Sequence, residues 1–245
     1  MKQTRLLMGM PVSVRIIDSV ADERLFQKVY DYFKYVDDTY STYKKTSEIS
    51  QINDGLPKER WSGEMKDVLE MCEQTKTQTN GYFDIEHDGK LDPSGLVKGW
   101  AIQNAADIIA QEGSRNYYID AGGDIQACGR NRKGEAWRIG IRNPFNRDEI
   151  IKTVAVSNKG VATSGTAVRG QHIYNPHKPN EPIPNIVSLT VIGPDIYNAD
   201  RFATAAFAMG SAGIDFIETL PGCEAYLVNS EGLATLTSGF ERYVV

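Results

Sequence analysis

The order in which helical and strand periodicities follow one another constrains this 245-residue chain more than any single motif. Leu25, Phe26, Val29, Tyr30, Phe33 and Val36 recur at three- and four-residue spacing, which predicts an amphipathic helix over 22–38. A short helix is expected over 47–53, capped by Thr46 or Ser47 and stopped by Asp54-Gly55. Met65, Val68, Leu69 and Cys72 predict a helix over 62–77. Leu96, Trp100, Ala101, Ala105, Ile108 and Ile109 predict another over 96–112, with Gly113 as its stop. After an opening strand at 11–17, strands dominate the second half, at 117–121, 125–128, 137–142, 150–157, 161–164, 187–192, 225–228 and 234–237, around one more helix at 199–209. The segments 39–43 and 175–185 are a polar connector and a Pro-rich loop. Regular β-α-β alternation is absent, so the expected class is α+β, with mixed, mainly antiparallel sheets flanked by helices. No repeat or linker interrupts the chain, and residues 1–245 are expected to form one domain.

Composition narrows the partners. With 41% hydrophobic and 24% charged residues the chain is globular rather than disordered. A net charge of −5 without any long Lys/Arg block argues against nucleic acid. No apolar run approaches the ~18 residues that a membrane span requires. The apolar stretch within 1–9 is too short for a secretory leader, so a cytoplasmic protein is expected, or else an exported mature form whose leader has been removed. Cys72, Cys128 and Cys223 are widely spaced and odd in number, which disfavours a disulfide framework.

Five clusters carry candidate chemistry. Asp200 and Thr204, at i and i+4, would share one helix face and offer hard oxygen ligands of the kind Mg²⁺ takes, although taken alone Asp200 reads first as a plain helix N-cap. The run Leu91-Asp92-Pro93-Ser94-Gly95-Leu96-Val97-Lys98-Gly99 feeds a helix whose first amides could receive a phosphate beside the Lys98 charge, or it is an ordinary helix start. Asp120-Ala121-Gly122-Gly123-Asp124 allows close backbone approach to a ligand, or makes a hairpin turn. Thr163-Ser164-Gly165 precedes His172, a lone imidazole that is structural or catalytic. Asn80-Gly81-Tyr82-Phe83-Asp84 is a turn into an apolar patch.

The order of these clusters, together with Met8-Gly9, Ser41-Thr42-Tyr43, Ser47-Glu48-Ile49-Ser50 with Asn53, His172-Ile173 with Pro176, and Met209-Gly210, resembles the ApbE family of FAD:protein FMN transferases over nearly the whole chain. The resemblance implies an α+β, T-fold-like architecture of two intimately joined portions. It implies Mg²⁺-dependent transfer of the FMN half of FAD to a Thr or Ser hydroxyl of an acceptor flavoprotein, with release of AMP. It further implies metal ligation by Asp200, Thr204 and a backbone carbonyl near Gly95. FAD contacts are implied for Met8, Tyr43, Asn53, Phe83, Asp84, Lys98, Gly122, Gly123, Asp124, Ser164 and Gly165, and for the active-site His172. An alcohol nucleophile gains from a nearby base, and His172 is a better candidate than a metal-bound Asp200. Two departures stand out: Asn175 replaces the family's usual Asp before Pro176, and the stretch from Gly165 to His172 is short. The alternatives are an FAD pyrophosphatase using water in the same pocket, against which Tyr43 leans, and a flavin-binding protein without chemistry.

Overall fold

The computed structural model describes residues 1–146, 148–166 and 173–245. Its strands are β1 (Lys2–Leu7), β2 (Met10–Ile16), β3 (Glu86–His87), β4 (Lys90–Leu91), β5 (Tyr117–Ala121), β6 (Asp124–Cys128), β7 (Trp137–Arg142), β8 (Ile150–Val156), β9 (Lys159–Gly165), β10 (Ser188–Gly193), β11 (Glu224–Val228) and β12 (Ala234–Leu236). Its α-helices are α1 (Glu23–Tyr40), α2 (Glu48–Asn53), α3 (Gly63–Gln78), α4 (Ser94–Gln111), α5 (Ile196–Ala208) and α6 (Gly213–Glu218). Among the described residues no helix is long and apolar enough to cross a membrane.

One eight-stranded sheet runs in the order β1-β2-β5-β6-β9-β10-β11-β12, with every neighbouring pair antiparallel. The α+β, mainly antiparallel expectation holds. The sheet carries apolar clusters on both faces. On one face Val12, Val14, Ile119, Ala162, Leu189 and Leu227 pack with α1, α4 and α5. On the other, Ala127, Val161, Ile192, Tyr226 and Val228 meet Trp137, Ile139, Ile141, Val154 and Val156 of the separate β7–β8 ribbon. Every residue of β10 and β11 is therefore buried, because both of their faces are covered.

Side-chain caps set three helix starts, at Asp22 for α1, Ser47 for α2 and Ser62 for α3, each accepting a hydrogen bond from an N–H in the first turn. The α5 start differs from the sequence reading. The N-cap is Asp195, whose Oδ1 accepts from the Asn198 amide at 2.8 Å, so the helix begins at Ile196 and Asp200 lies inside it. The Asp200 N-cap alternative is thereby excluded. Gln126 Oε1 accepts the Ile196 amide at 2.8 Å, and Gly160 lets β9 pass where a Cβ would stand 2.2 Å from that nitrogen. These contacts fix the register of α5 on the sheet.

β1, β3, β4 and α6 escaped the sequence reading. β1 is an edge strand whose residues are at most half-buried, so it has no apolar alternation to read. The β3–β4 ribbon and α6 are shorter than a periodicity window.

The cysteines are unpaired. Burial pushes the Cys72 thiol up to about 12 and the Cys223 thiol up to about 11. Since the thiolate is the reactive species, an alkylating reagent is expected to modify at most the half-buried Cys128 in the native protein, and all three thiols after unfolding. Peptide mass mapping checks this, and native labelling of Cys72 would contradict it.

Candidate active site

A cleft of ≈ 2350 Å³ opens between the β2–β5–β6–β9 surface, the β7 strand and the loops around α4. Its floor is built by α4 and α5. The Thr204 Oγ1 donates to the Gly95 carbonyl at 3.5 Å, and both residues border the cleft. One helical turn earlier on the same face, the Asp200 carboxylate is 2% exposed. Its Oδ2 accepts the Gly99 amide at 2.7 Å and its Oδ1 stands 3.2 Å from Lys98 Nζ. Lys98 also pairs with Asp124, itself 3% exposed, whose Oδ1 accepts the Thr163 amide at 2.9 Å. One ammonium thus lies between two buried carboxylates drawn from β6 and α5. Burial pushes the Asp200 carboxyl up, Lys98 pulls it down, and the Asp124 charge raises it further.

Gly99 makes this approach possible. A Cβ there would lie 2.7 Å from Asp200 Cβ and 2.8 Å from the Ile196 carbonyl. Gly99→Ala is expected to cost about 1–3 kcal/mol, the range for overpacking a tight contact, because α4 and α5 must separate. Chemical denaturation measures this, and a loss below about 0.5 kcal/mol would show that the helices yield freely.

The other candidates fall into three groups. Phe83, Asp84, Gly122, Gly123, Ser164 and Gly165 border the same cleft as Lys98, Asp124, Gly95 and Thr204. Gly122 and Gly123 form the β5–β6 turn at φ +64° and +101°, a hairpin turn placed on the cleft wall. Asp84 is anchored by Lys76 at 2.7 Å, and Phe83 lies against Gly95. Asn53 also borders the cleft, but its amide exchanges two hydrogen bonds with the Leu91 backbone, at 2.8 and 2.9 Å, so it ties α2 to β4. Tyr43 and Met8 are not brought to the cleft. Tyr43 is 96% exposed, and Met8 sits in the β1–β2 turn at φ 52°, where its neighbour Gly9 takes the wall position. His172 lies outside the described residues.

The structure adds wall residues that the sequence reading did not assign. Asp120 accepts the Gly123 amide at 2.9 Å. Burial pushes its carboxyl up, against the Gly123 hydrogen bond, while Asp124 raises it and Lys2 and Arg142 draw it down. Thr163 and Thr190 share a 2.8 Å hydroxyl contact on the wall, and Tyr174 donates to the Asp84 and Glu86 carbonyls at 3.1 Å. Thr190 and Ser188 could have been found as polar residues at period two inside an otherwise apolar strand.

Fold and cleft together define an antiparallel α+β protein with an open cleft of mixed polar and apolar lining between its sheet and an added ribbon. The chain belongs to the ApbE family, whose sequence profile matches residues 8–88 and 86–227. It is 23% identical to the FAD:protein FMN transferase of Escherichia coli (strain K12), in an alignment taking in 90% of this chain and 81% of that protein. It is similar in fold to the flavin transferase ApbE from Vibrio cholerae, with a TM-score of 0.87, 22% identity and coverage of 99% and 98% of the two chains. The ApbE protein from Thermotoga maritima is comparably similar, with a TM-score of 0.87, 21% identity and the same coverage.

Proposed function

We propose that this protein is an Mg²⁺-dependent FAD:protein FMN transferase, which moves the FMN part of FAD to a Thr or Ser hydroxyl of an acceptor flavoprotein and releases AMP. The observation that carries the reading is the Asp124–Lys98–Asp200 cluster and the Gly95–Thr204 contact: Lys98, Asp124, Gly95 and Thr204 border a cleft large enough for a dinucleotide, and Asp200 is buried behind Lys98. Family membership and the names of the relatives support it.

In the reaction the acceptor oxygen bonds to the FMN phosphorus. The bond from that phosphorus to the bridging oxygen breaks, and AMP leaves with the electron pair. The hydroxyl proton passes to a base, the role proposed for His172. The donor set fits a hard cation: a carboxylate from Asp200, a hydroxyl from Thr204 and a carbonyl from Gly95 are all oxygen. Among the described residues no group of three His, Cys, Asp or Glu side chains could hold a metal. Mg²⁺ bound there supplies charge neutralisation for the pyrophosphate oxygens.

The chain's own groups do the rest. Lys98 holds a positive charge at the cleft wall and pairs with both Asp124 and Asp200, offsetting part of their charge. Gly122 and Gly123 remove side chains from the wall so that the backbone can approach a phosphate or sugar. The Thr163 and Thr190 hydroxyls offer orienting hydrogen bonds. Phe83 and Tyr174 offer aromatic surface at the α4 end of the cleft.

Intact-mass analysis after mixing the protein with FAD, Mg²⁺ and an acceptor domain carrying a Thr-Gly-Ala-Thr motif tests the proposal. One added FMN on the acceptor is the expected result. FAD split to FMN and AMP with no acceptor gain would assign a pyrophosphatase instead, and intact FAD would leave a binding protein.

A further inference from the structure

Among the described residues the ribbon strand β7 has one bonded edge and one open edge. It pairs there with β8 alone, and its residues from Trp137 to Arg142 border the cleft. The far edge of β8 is closed by the chain's own C-terminus, through the Val154–Val244 bridge and the Val245 amide donating to the Thr153 carbonyl at 3.1 Å.

Hydrogen bonding shows which β7 groups face the opening. Asn143, just past the strand, donates its amide to Glu149 on the partner side at 2.8 Å. The irregularity between Ile141 and Arg142 places the extra residue on β8, so the alternation of β7 runs on unbroken. Ile141, Ile139 and Trp137 then face β8, while Arg138 and Gly140 turn their N–H and C=O toward the cleft. The Thr153 carbonyl agrees: it points away from β7, as expected opposite an outward-turned Gly140. An unpaired row of this kind is a template for a further strand.

The surroundings select what that strand carries. Around β7, the β6–β7 turn and the facing β2–β5 surface, the cleft presents Arg15, Arg132, Lys133 and Arg138 against Asp120 and Glu135. That local surplus of two positive charges, four minus two, sits on a chain whose net charge is −5. The cleft also exceeds the ~300–1,000 Å³ typical of a pocket for one small ligand, leaving space beside a dinucleotide.

We infer that the acceptor protein presents its hydroxyl on an extended, acidic segment that adds to the open edge of β7. Main-chain hydrogen bonds to Arg138 and Gly140 fix the segment's direction, and the flanking cations select its charge. The inference rests on the transferase reading, so the test separates the two.

Two synthetic peptides share a Thr-Gly-Ala-Thr core, one flanked by aspartates and the other by lysines. Binding to the full chain with FAD and Mg²⁺ is followed by fluorescence anisotropy, and FMN transfer by mass. The aspartate peptide is expected to bind at least about tenfold tighter than the lysine peptide. Arg138→Glu is expected to weaken it at least about tenfold, with FAD affinity unchanged. Arg138→Pro, which removes one edge N–H, is expected to weaken it more than Arg138→Ala does. The β7 amides should exchange with solvent at least about tenfold more slowly when the aspartate peptide is bound.

Equal binding of the two peptides, no binding of the aspartate peptide, or binding that leaves β7 exchange unchanged would each overturn the docking site. FMN transfer to both peptides at equal efficiency would do so while keeping the transferase. Tight, Arg138-dependent binding of the aspartate peptide with no FMN transfer would keep the docking site and remove the transferase reading.

Discussion

Asp200→Asn is expected to lower FMN transfer by about 10²–10³-fold, the range seen when one preorganised electrostatic contact to developing charge is lost. The same change is expected to stabilise the metal-free protein. The Asp200 carboxyl is buried, and its affinity for a proton is raised above the ordinary value of 3.8. The folded state therefore binds more protons than the unfolded chain between that value and neutrality. Stability falls as pH rises through this window, and the loss is complete above it. Asn removes the titration and keeps an oxygen for the Gly99 amide. The stability gain of the variant should therefore widen from pH 4 to pH 8, conditions chosen as roughly spanning the shifted carboxyl. Urea unfolding across that range, paired with the mass assay for transfer, checks both parts. A variant with undiminished transfer would remove Asp200 from the site. A variant less stable than the parent at the alkaline end would mean that Lys98 more than offsets the cost of burial.

Lys98→Met should produce the largest loss of stability. It leaves the Asp124 and Asp200 carboxylates buried without the ammonium between them. Removing one partner of a buried charge cluster costs about 3–5 kcal/mol, and the partial exposure of Lys98 places the expectation at the lower end, about 3 kcal/mol near neutral pH. Two adjacent carboxylates raise each other's proton affinity, so part of the loss should be recovered as pH falls and one of them takes up a proton. Lys98→Arg keeps the charge but not the compact head, and should recover stability better than transfer. Equal destabilisation at acid and alkaline pH would contradict the electrostatic account and point to lost packing of the lysine stem.

Much of the scaffold was legible because its signals are local. The stripe from Leu25 to Val36, the stops at Gly113 and Asp54-Gly55, and the Gly122-Gly123 turn each depend on a few neighbouring residues, and each recurs in the structure. β1 was not legible, since an edge strand with neither face fully buried needs no apolar alternation. The start of α5 was misplaced because Asp195 and Asp200 are both plausible caps in sequence. Only the seat of the helix on Gly160 and Gln126 chooses between them. The roles proposed for Asn53 and Tyr43 separate for a similar reason: one side chain is spent on the Leu91 backbone and the other points to solvent.

The sequence by itself determined the α+β class, the turns and the set of polar groups available to a site, because periodicity, capping and glycine placement act over a few residues. Only the tertiary structure decided which of those groups meet. Lys98 and Asp200 lie 102 positions apart, and Asp124 and Thr163 lie 39 apart, yet one chain of contacts joins all four. The strand order that carries β6 next to β9, and the Gly99 contact that lets α5 close on α4, bring them together. Burial then raises the proton affinity of Asp200, and the part of the sheet that the β7–β8 ribbon leaves uncovered borders the cleft. Neither quantity exists until the surfaces have packed.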